Sequence, residues 1–249
     1  MKLYIFGSCS GTEPMPGRHH TSLAYEVGGR LYWFDAGEGC AHTAYTMGVD
    51  LFSVADVFIS HTHVDHLGGL PHLFWTIHKL HCRYGLTPKY GDMTLYMSRE
   101  EPLRAALDMT VGRTLPVTYK KITDGVILDN GEVKVTALHN MHIPVSDGDY
   151  ISFSFLIEAE GKRIIHSGDL KSLDEIESFL EGGCDVMLME SGHHKPLEVC
   201  ERLKGKVKDT LYFFHHGRAI LGDFEGVLKE CKKIMPNVVF VNDRDVFEI

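Results

Sequence analysis

Short apolar runs broken by glycine, proline and small polar clusters dominate the first half of the chain. KLYIF, TSLAYEV and RLYWFDAG read as strands, and Gly28–Gly29 between the last two is a hairpin signal. Residues 41–48 predict a short helix and ADVFIS a further strand. The run from Leu67 to about Leu80 predicts a helix, because Leu67, Leu70, Leu73, Phe74 and Ile77 recur at helical spacing. DMTLYMS then reads as a strand and REEPLRAALDM as a helix. The middle is mostly strands: VTYKKI, GVILD, EVKVTAL, ISFSFLIEA and KRIIHSGD, with Asn130-Gly131 and Glu160-Gly161 as tight turns. In the last third a helix at 172–180, strand DVMLME, a helix near 196–203, strand TLYFF, a helix at 222–235 and strand NVVFV follow one another as β-α units. No internal repeat, low-complexity segment or Pro/Gly/Ser-rich linker divides the sequence, and 249 residues suit one compact domain, residues 1–249. The pattern predicts an α/β fold of two sheets packed face to face with helices outside.

Composition narrows the class. Hydrophobic residues at 44% and charged residues at 24% are ordinary for a soluble globular protein, and no apolar window reaches membrane-spanning length. The apolar run before Gly7 is too short for a signal-peptide core, so the cytoplasm is the expected location. Cys9, Cys40, Cys82, Cys184, Cys200 and Cys231 form no C-x-x-C pair and read as reduced thiols, most of them buried. A formal net charge of −9 gives no steering toward nucleic acid. The densest basic run, KGKVK at 204–208, reads as a solvated helix end and loop.

The chemistry concentrates in SHTHVDHLGGLPH, residues 60–72, directly after a strand. His61, His63 and Asp65 fall at period two, so an extended backbone projects them to one side, and His66 follows on the turn into the helix. Imidazole and carboxylate suit zinc, manganese or iron, with no cysteine or methionine nearby to suggest a soft-metal site.

HTHVDH matches the H-x-H-x-D-H signature of the metallo-β-lactamase superfamily, which the chain resembles over essentially its whole length. GSCSGTEPMPGRHHTSLAYEVGGRLYWFDAGEG resembles the N-terminal region of that superfamily's ribonuclease Z and phosphodiesterase branch, NMHIP at 140–144 its H-x-P segment, IIHSGDL the segment carrying the bridging aspartate, and LYFFHHGR the one carrying the last histidine. The resemblance implies an αββα four-layer sandwich of two mixed β-sheets flanked by helices. It implies two divalent metal ions, zinc first with manganese or iron as alternatives. His61, His63 and His142 would hold one ion, Asp65, His66 and His215 the other, and Asp169 both. Such a pair of ions clamps a water and lowers its pKa toward about 7.

His139 competes with His142, and His216 with His215; His142 and His215 are favoured as ligands, and His139 and His216 are assigned a supporting or proton-donating role. Asp65, His216 and Arg218 are the catalytic candidates: the resemblance gives Asp65 the orienting of the attacking water, and Arg218, three residues beyond His215, is expected either to grip an anionic leaving group or to form a surface salt bridge. Asp35 and Glu38 in FDAGEG are expected to hydrogen-bond backbone or ligand imidazoles, or simply to mark a turn and a helix N-terminus, and His19 and His20 either line the substrate mouth or sit in a surface loop. His72, His78 and His81 read as structural or solvent-facing.

Histidine at position 63, where the superfamily's flavo-diiron members carry glutamate, points to a hydrolase and away from oxygen reduction. The N-terminal and GEG motifs favour phosphodiester cleavage over β-lactam, lactone or thioester cleavage. The segment from Leu80 to Met93 is too short for the glycine-rich arm with which transfer-RNA-processing members grip RNA, so a small phosphodiester or nucleotide is expected and structured RNA is not. The alternatives are a lactonase or β-lactamase-type hydrolase and a metal-containing binding or signalling protein without turnover. No membrane partner is expected; a homodimer is compatible with the resemblance.

Overall fold

Gly28 and Gly29 both adopt positive φ, 57° and 80°, and so turn β2 (Ser22–Val27) back on β3 (Arg30–Ala36) as the hairpin signal required. The structure, a computed structural model, describes residues 1–110, 115–145 and 148–249. The chain divides into two units: one of Met1–Ser8, Pro14–Ile122 and Asp243–Ile249, the other of Cys9–Glu13 and Thr123–Asn242.

The first unit is built on a seven-stranded sheet among the described residues. Its order is β14 (Val246–Glu248), β1 (Lys2–Gly7), β2, β3, β4 (Val54–Phe58), β5 (Met93–Met97) and β6 (Val117–Lys121). The strands from β14 to β3 run antiparallel and those from β3 to β6 parallel, so the sheet is mixed. Helices α1 (Cys40–Thr46), α2 (Val64–Leu67), α3 (Leu70–Tyr84) and α4 (Glu101–Met109) belong to the same unit.

The helix expected from Leu67 is two helices. α2 stops at Gly68–Gly69, where a Cβ on Gly69 would lie 2.2 Å from the Gly37 carbonyl oxygen, and α3 restarts with Pro71 in its first turn. Leu70, Leu73, Phe74 and Ile77 then place a stripe against Leu31, Trp33, Val57 and Leu95 of the sheet. Each such buried side chain contributes about 1.5–3 kcal/mol. Gly85, at φ 66°, closes α3 by donating to the His81 carbonyl at 2.8 Å.

The second unit repeats the design. Its sheet order is β13 (Val238–Phe240), β12 (Val207–His216), β11 (Cys184–Ser191), β10 (Lys162–His166), β9 (Phe153–Ala159), β8 (Val133–His139) and β7 (Gly125–Asp129). Strands β7 to β10 are antiparallel and β10 to β13 parallel. α5 (Glu177–Leu180), α6 (Pro196–Leu203), α7 (Arg218–Gly222) and α8 (Phe224–Ile234) accompany it, with Val199, Cys200, Leu203 and Cys231 buried in one cluster with Leu211 and Phe213.

Three expectations shift. The helix at 172–180 opens as a 3-10 turn, Leu173–Ile176, before α5; the helix at 222–235 is preceded by the separate α7; and Val207 and Lys208 of the basic run open β12 rather than a loop. Among the described residues no helix is long and apolar enough to cross a membrane.

Candidate metal centre

In parallel sheets, loops leaving the carboxyl ends of strands gather side chains at one rim. β3 and β4 do this in the first unit. At the carboxyl end of β3, Asp35 takes φ 53°, a left-handed conformation that costs a non-glycine residue about 1 kcal/mol, and its carboxylate is fully buried. Beyond β4, the Ser60 amide donates to Asp35 Oδ1 at 2.7 Å and the Ser60 hydroxyl to Oδ2 at 2.8 Å. Asp35 Oδ2 also lies 2.8 Å from His66 Nδ1. A carboxylate fixing one imidazole nitrogen leaves the other, Nε2, as a lone-pair donor; this is how metal-ligating histidines are held. His66 Nε2 lies 3.4 Å from Asp65 Oδ2. His61, also fully buried, has Nδ1 at 3.0 Å from the Ser60 hydroxyl and Nε2 at 3.0 Å from His63 Nδ1.

Gly37 makes this rim feasible. A Cβ there would come within 2.5 Å of the His20 backbone and 2.7 Å of the Asp65 carbonyl, so only glycine lets those segments approach. Glu38 is exposed and bonds His19 Nδ1 at 3.0 Å, while the His19 amide donates to Asp243 at 2.6 Å. The helix histidines stand apart: His72 is exposed, His78 lies 3.5 Å from the Cys82 sulfur, and His81 Nδ1 bonds the Leu86 carbonyl.

In the second unit Asp169 is the hub. Its Oδ2 lies 3.4 Å from His215 Nε2, 3.6 Å from His142 Nε2 and 3.8 Å from His193 Nδ1. His215 holds φ 53° at the end of β12, and its ring rests where a Cβ on Gly192 would fall 2.7 Å from Nδ1. The neighbours expected to compete sit elsewhere. His139 bonds Asp124 through its amide and Nδ1 and stacks on Tyr150 with centroids 3.6 Å apart. His216 is fully buried, with Nε2 at 2.8 Å from the Val241 carbonyl and Nδ1 at 3.0 Å from the Ser191 hydroxyl. Arg218 is exposed and ion-paired with Glu13.

Two members of this cluster carry no sequence assignment: Glu190 and His193, which with Asp169 and His215 bring four potential ligand atoms within 4.8 Å of one another. Burial opposes ionisation of Glu190, but hydrogen bonds from His193 and His215 overcome it and hold the carboxyl well below its usual range. The Glu190 contact in turn raises the His193 pKa, against the effect of partial burial. The sequence signal was the acid closing the buried strand DVMLME, followed by Gly192 and two histidines.

The donor sets fit a divalent ion. Zinc–nitrogen bonds of about 2.05 Å give a tetrahedron with an edge near 3.3 Å. The separations of 3.0 Å for His61–His63, 3.4 Å for Asp65–His66, 3.4 Å for Asp169–His215 and 3.6 Å for Asp169–His142 bracket that edge.

Known proteins share the fold that carries these residues. A solved structure described as the metallo-beta-lactamase fold protein YhfI from Bacillus subtilis superposes with a TM-score of 0.77 over 100% of this chain and 99% of its own, at 18% identity, which establishes the fold. The fold expected from sequence, two mixed sheets with flanking helices, is therefore the one found. The family model for the beta-lactamase superfamily domain matches residues 32–239. A ribonuclease Z from Methanothermobacter thermautotrophicus is 35% identical over 316 aligned positions, covering 100% of this chain and 97% of the relative. A ribonuclease Z from Treponema pallidum is 41% identical over 73 residues, 29% of this chain, and there the chain spans only 23% of the relative's length. The chain belongs to the beta-lactamase superfamily, among its ribonuclease Z-like members. Membership implies divalent metal ions, which the His/Asp clusters of each unit are suited to hold.

Proposed function

We propose that the protein is a binuclear metal-dependent phosphodiesterase acting on a small phosphodiester or nucleotide. The observation that carries the reading is Asp169: one buried carboxylate oxygen with three imidazole nitrogens 3.4–3.8 Å away, a residue that would be able to serve more than one ion. On this reading His61, His63 and His142 hold one ion, Asp65, His66 and His215 the other, and zinc is the first choice. Bound there, two divalent ions supply Lewis acidity at the phosphoryl oxygens and lower the pKa of water toward about 7.

The remaining roles belong to side chains. Asp65 accepts a hydrogen bond from the attacking water and orients it in line with the leaving group. His193, exposed at 43% and held by Glu190 at 3.1 Å, delivers a proton to the leaving oxygen; the Glu190 contact favours its protonated form. The proton-donor role first considered for His216 falls to His193, because both His216 nitrogens are engaged in the interior. Arg218 reaches an anionic group only after parting from Glu13, a weak, solvent-screened contact at an exposed surface.

The small substrate is favoured because α3 and β5 are joined by residues 85–92 alone, with no inserted arm, and because the net charge is −9. Absence of any C-x-x-C pair and six free thiols, five of them buried, support action in the cytoplasm. The test is a hydrolysis panel of bis(p-nitrophenyl) phosphate, cyclic nucleotides, lactones, thioesters, β-lactams and a precursor transfer RNA, with protein of measured metal content. Turnover confined to small phosphodiesters is expected. Preference for the RNA would overturn the substrate class, preference for lactones or β-lactams the reaction class, and two bound ions without turnover the enzyme itself.

A further inference from the structure

His142 sits in a loop, not at the tip of a strand, so something must hold it. Two groups do. From below, buried Asn140 accepts from the His142 amide at 3.2 Å while its own Nδ2 donates to the Ser154 hydroxyl at 3.1 Å, and Ser154 donates to the Ser167 carbonyl at 2.5 Å. The second is Glu175, in the 3-10 turn Leu173–Ile176. Its Oε1 accepts from the Met141 amide at 2.9 Å, and its Oε2 from the Lys171 and Ser172 amides at 3.0 and 3.2 Å. One carboxylate thereby fastens the residue before His142 to the residues just beyond Asp169, though Glu175 lies 33 and 6 positions away from those two in sequence.

We propose that Glu175 is a positioning residue for the metal centre, setting the 3.6 Å separation between His142 Nε2 and Asp169 Oδ2 by clamping their two loops together. The inference rests on the assignment of His142 and Asp169 as ligands. A carboxylate suits the task because its two oxygens serve three amide donors at once, and charge-assisted bonds of this kind are roughly twice as strong as neutral ones. Glutamine offers one acceptor oxygen and keeps one side of the clamp; alanine keeps neither.

Glu175 also closes the capping box with Ser172, whose hydroxyl accepts from the Asp174 amide. Helix capping alone is therefore the competing explanation, and Ser172→Ala separates the two: it weakens the cap but leaves the Met141 bond.

The experiment titrates metal-depleted protein with zinc by calorimetry, for wild type, Glu175→Ala, Glu175→Gln, Ser172→Ala and His142→Ala, with the melting temperature of each metal-free variant as the folding control. Loss of an outer hydrogen-bond partner of a ligand weakens binding by about 10–100-fold. Glu175→Ala is expected to weaken one of the two ions by that factor and Glu175→Gln by less. Ser172→Ala is expected to lower the melting temperature with zinc affinity unchanged, and His142→Ala to lose the same ion. Wild-type affinity in Glu175→Ala beside loss of the ion in His142→Ala overturns the clamp, as does equal weakening in Ser172→Ala. A wild type that binds no ion, or a His142→Ala variant that binds both, overturns instead the ligand assignment beneath it.

Discussion

Replacing Asp35 with asparagine preserves volume and removes one acceptor from a fully buried site. The carboxylate now serves the Ser60 amide, the Ser60 hydroxyl and His66 Nδ1 at 2.7, 2.8 and 2.8 Å. An amide has one oxygen to offer. If that oxygen stays toward the Ser60 amide, the amide nitrogen faces His66 Nδ1, and the ring must adopt the tautomer with its proton on Nε2. The lone pair beside Asp65 is then gone. If the amide flips, His66 keeps its tautomer, but the Ser60 N–H is buried without an acceptor at a cost of about 1–3 kcal/mol. Either branch weakens the centre, so Asp35→Asn is expected to reduce zinc affinity by about 10–100-fold, roughly 1.4–2.7 kcal/mol. Zinc titration of the metal-depleted protein reads the first branch, and its urea midpoint the second. An Asp35→Asn variant with wild-type zinc affinity and wild-type midpoint would refute the orienting role of Asp35.

Three further outcomes follow from the same geometry. His193→Gln is expected to leave metal content unchanged and to slow phosphodiester hydrolysis by about 10²–10³, with a larger loss for alkyl than for p-nitrophenyl leaving groups; equal losses for both would remove its proton-donor role. Gly192→Ala places a methyl 2.7 Å from His215 Nδ1 and is expected to cost about 1–3 kcal/mol of metal-free stability through overpacking, together with weaker zinc binding, both read by titration and melting. Asp56, on β4, is pushed up to about 6 by burial, against the opposing pull of Lys120 and Arg30. Its folded pKa exceeds its unfolded one, so stability falls as pH rises from about 4 to about 6 and stays lower above. Asp56→Asn should therefore gain about 3 kcal/mol at pH 7.5 and little at pH 4, measured as urea midpoints; an equal effect at both pH values contradicts the assignment.

Much of this was legible in the residues because local signals and global fold agree. Hairpin glycines, helix-spaced leucines and strand-ending histidines each state one local preference, and tertiary packing satisfies them all at Gly28–Gly29, along α3 and beyond β4. What escaped has no local signal. β14 is largely exposed and exists because Lys2 and Tyr4 of β1 offer it an edge, pairing with Glu248 and Val246. The break between α2 and α3 depends on Gly69 meeting the Gly37 carbonyl, a contact between residues 32 positions apart. Glu190 only closes the strand DVMLME and His193 carries no assignment until Asp169 and His215 stand beside them. The HTHVDH motif carried its chemistry in six consecutive residues, whereas Asp169 acquires its meaning only from partners distant in sequence.

Two ions sharing Asp169 are the central claim, and metal stoichiometry set against turnover tests it most directly. Elemental analysis of the purified protein, with bis(p-nitrophenyl) phosphate hydrolysis followed during stepwise chelation and zinc return, is expected to give two ions per chain, activity that vanishes and recovers with them, and loss of both metal and turnover in Asp169→Ala. Hydrolysis that persists in fully chelated protein, or an Asp169→Ala variant that retains two ions and normal rates, would contradict it.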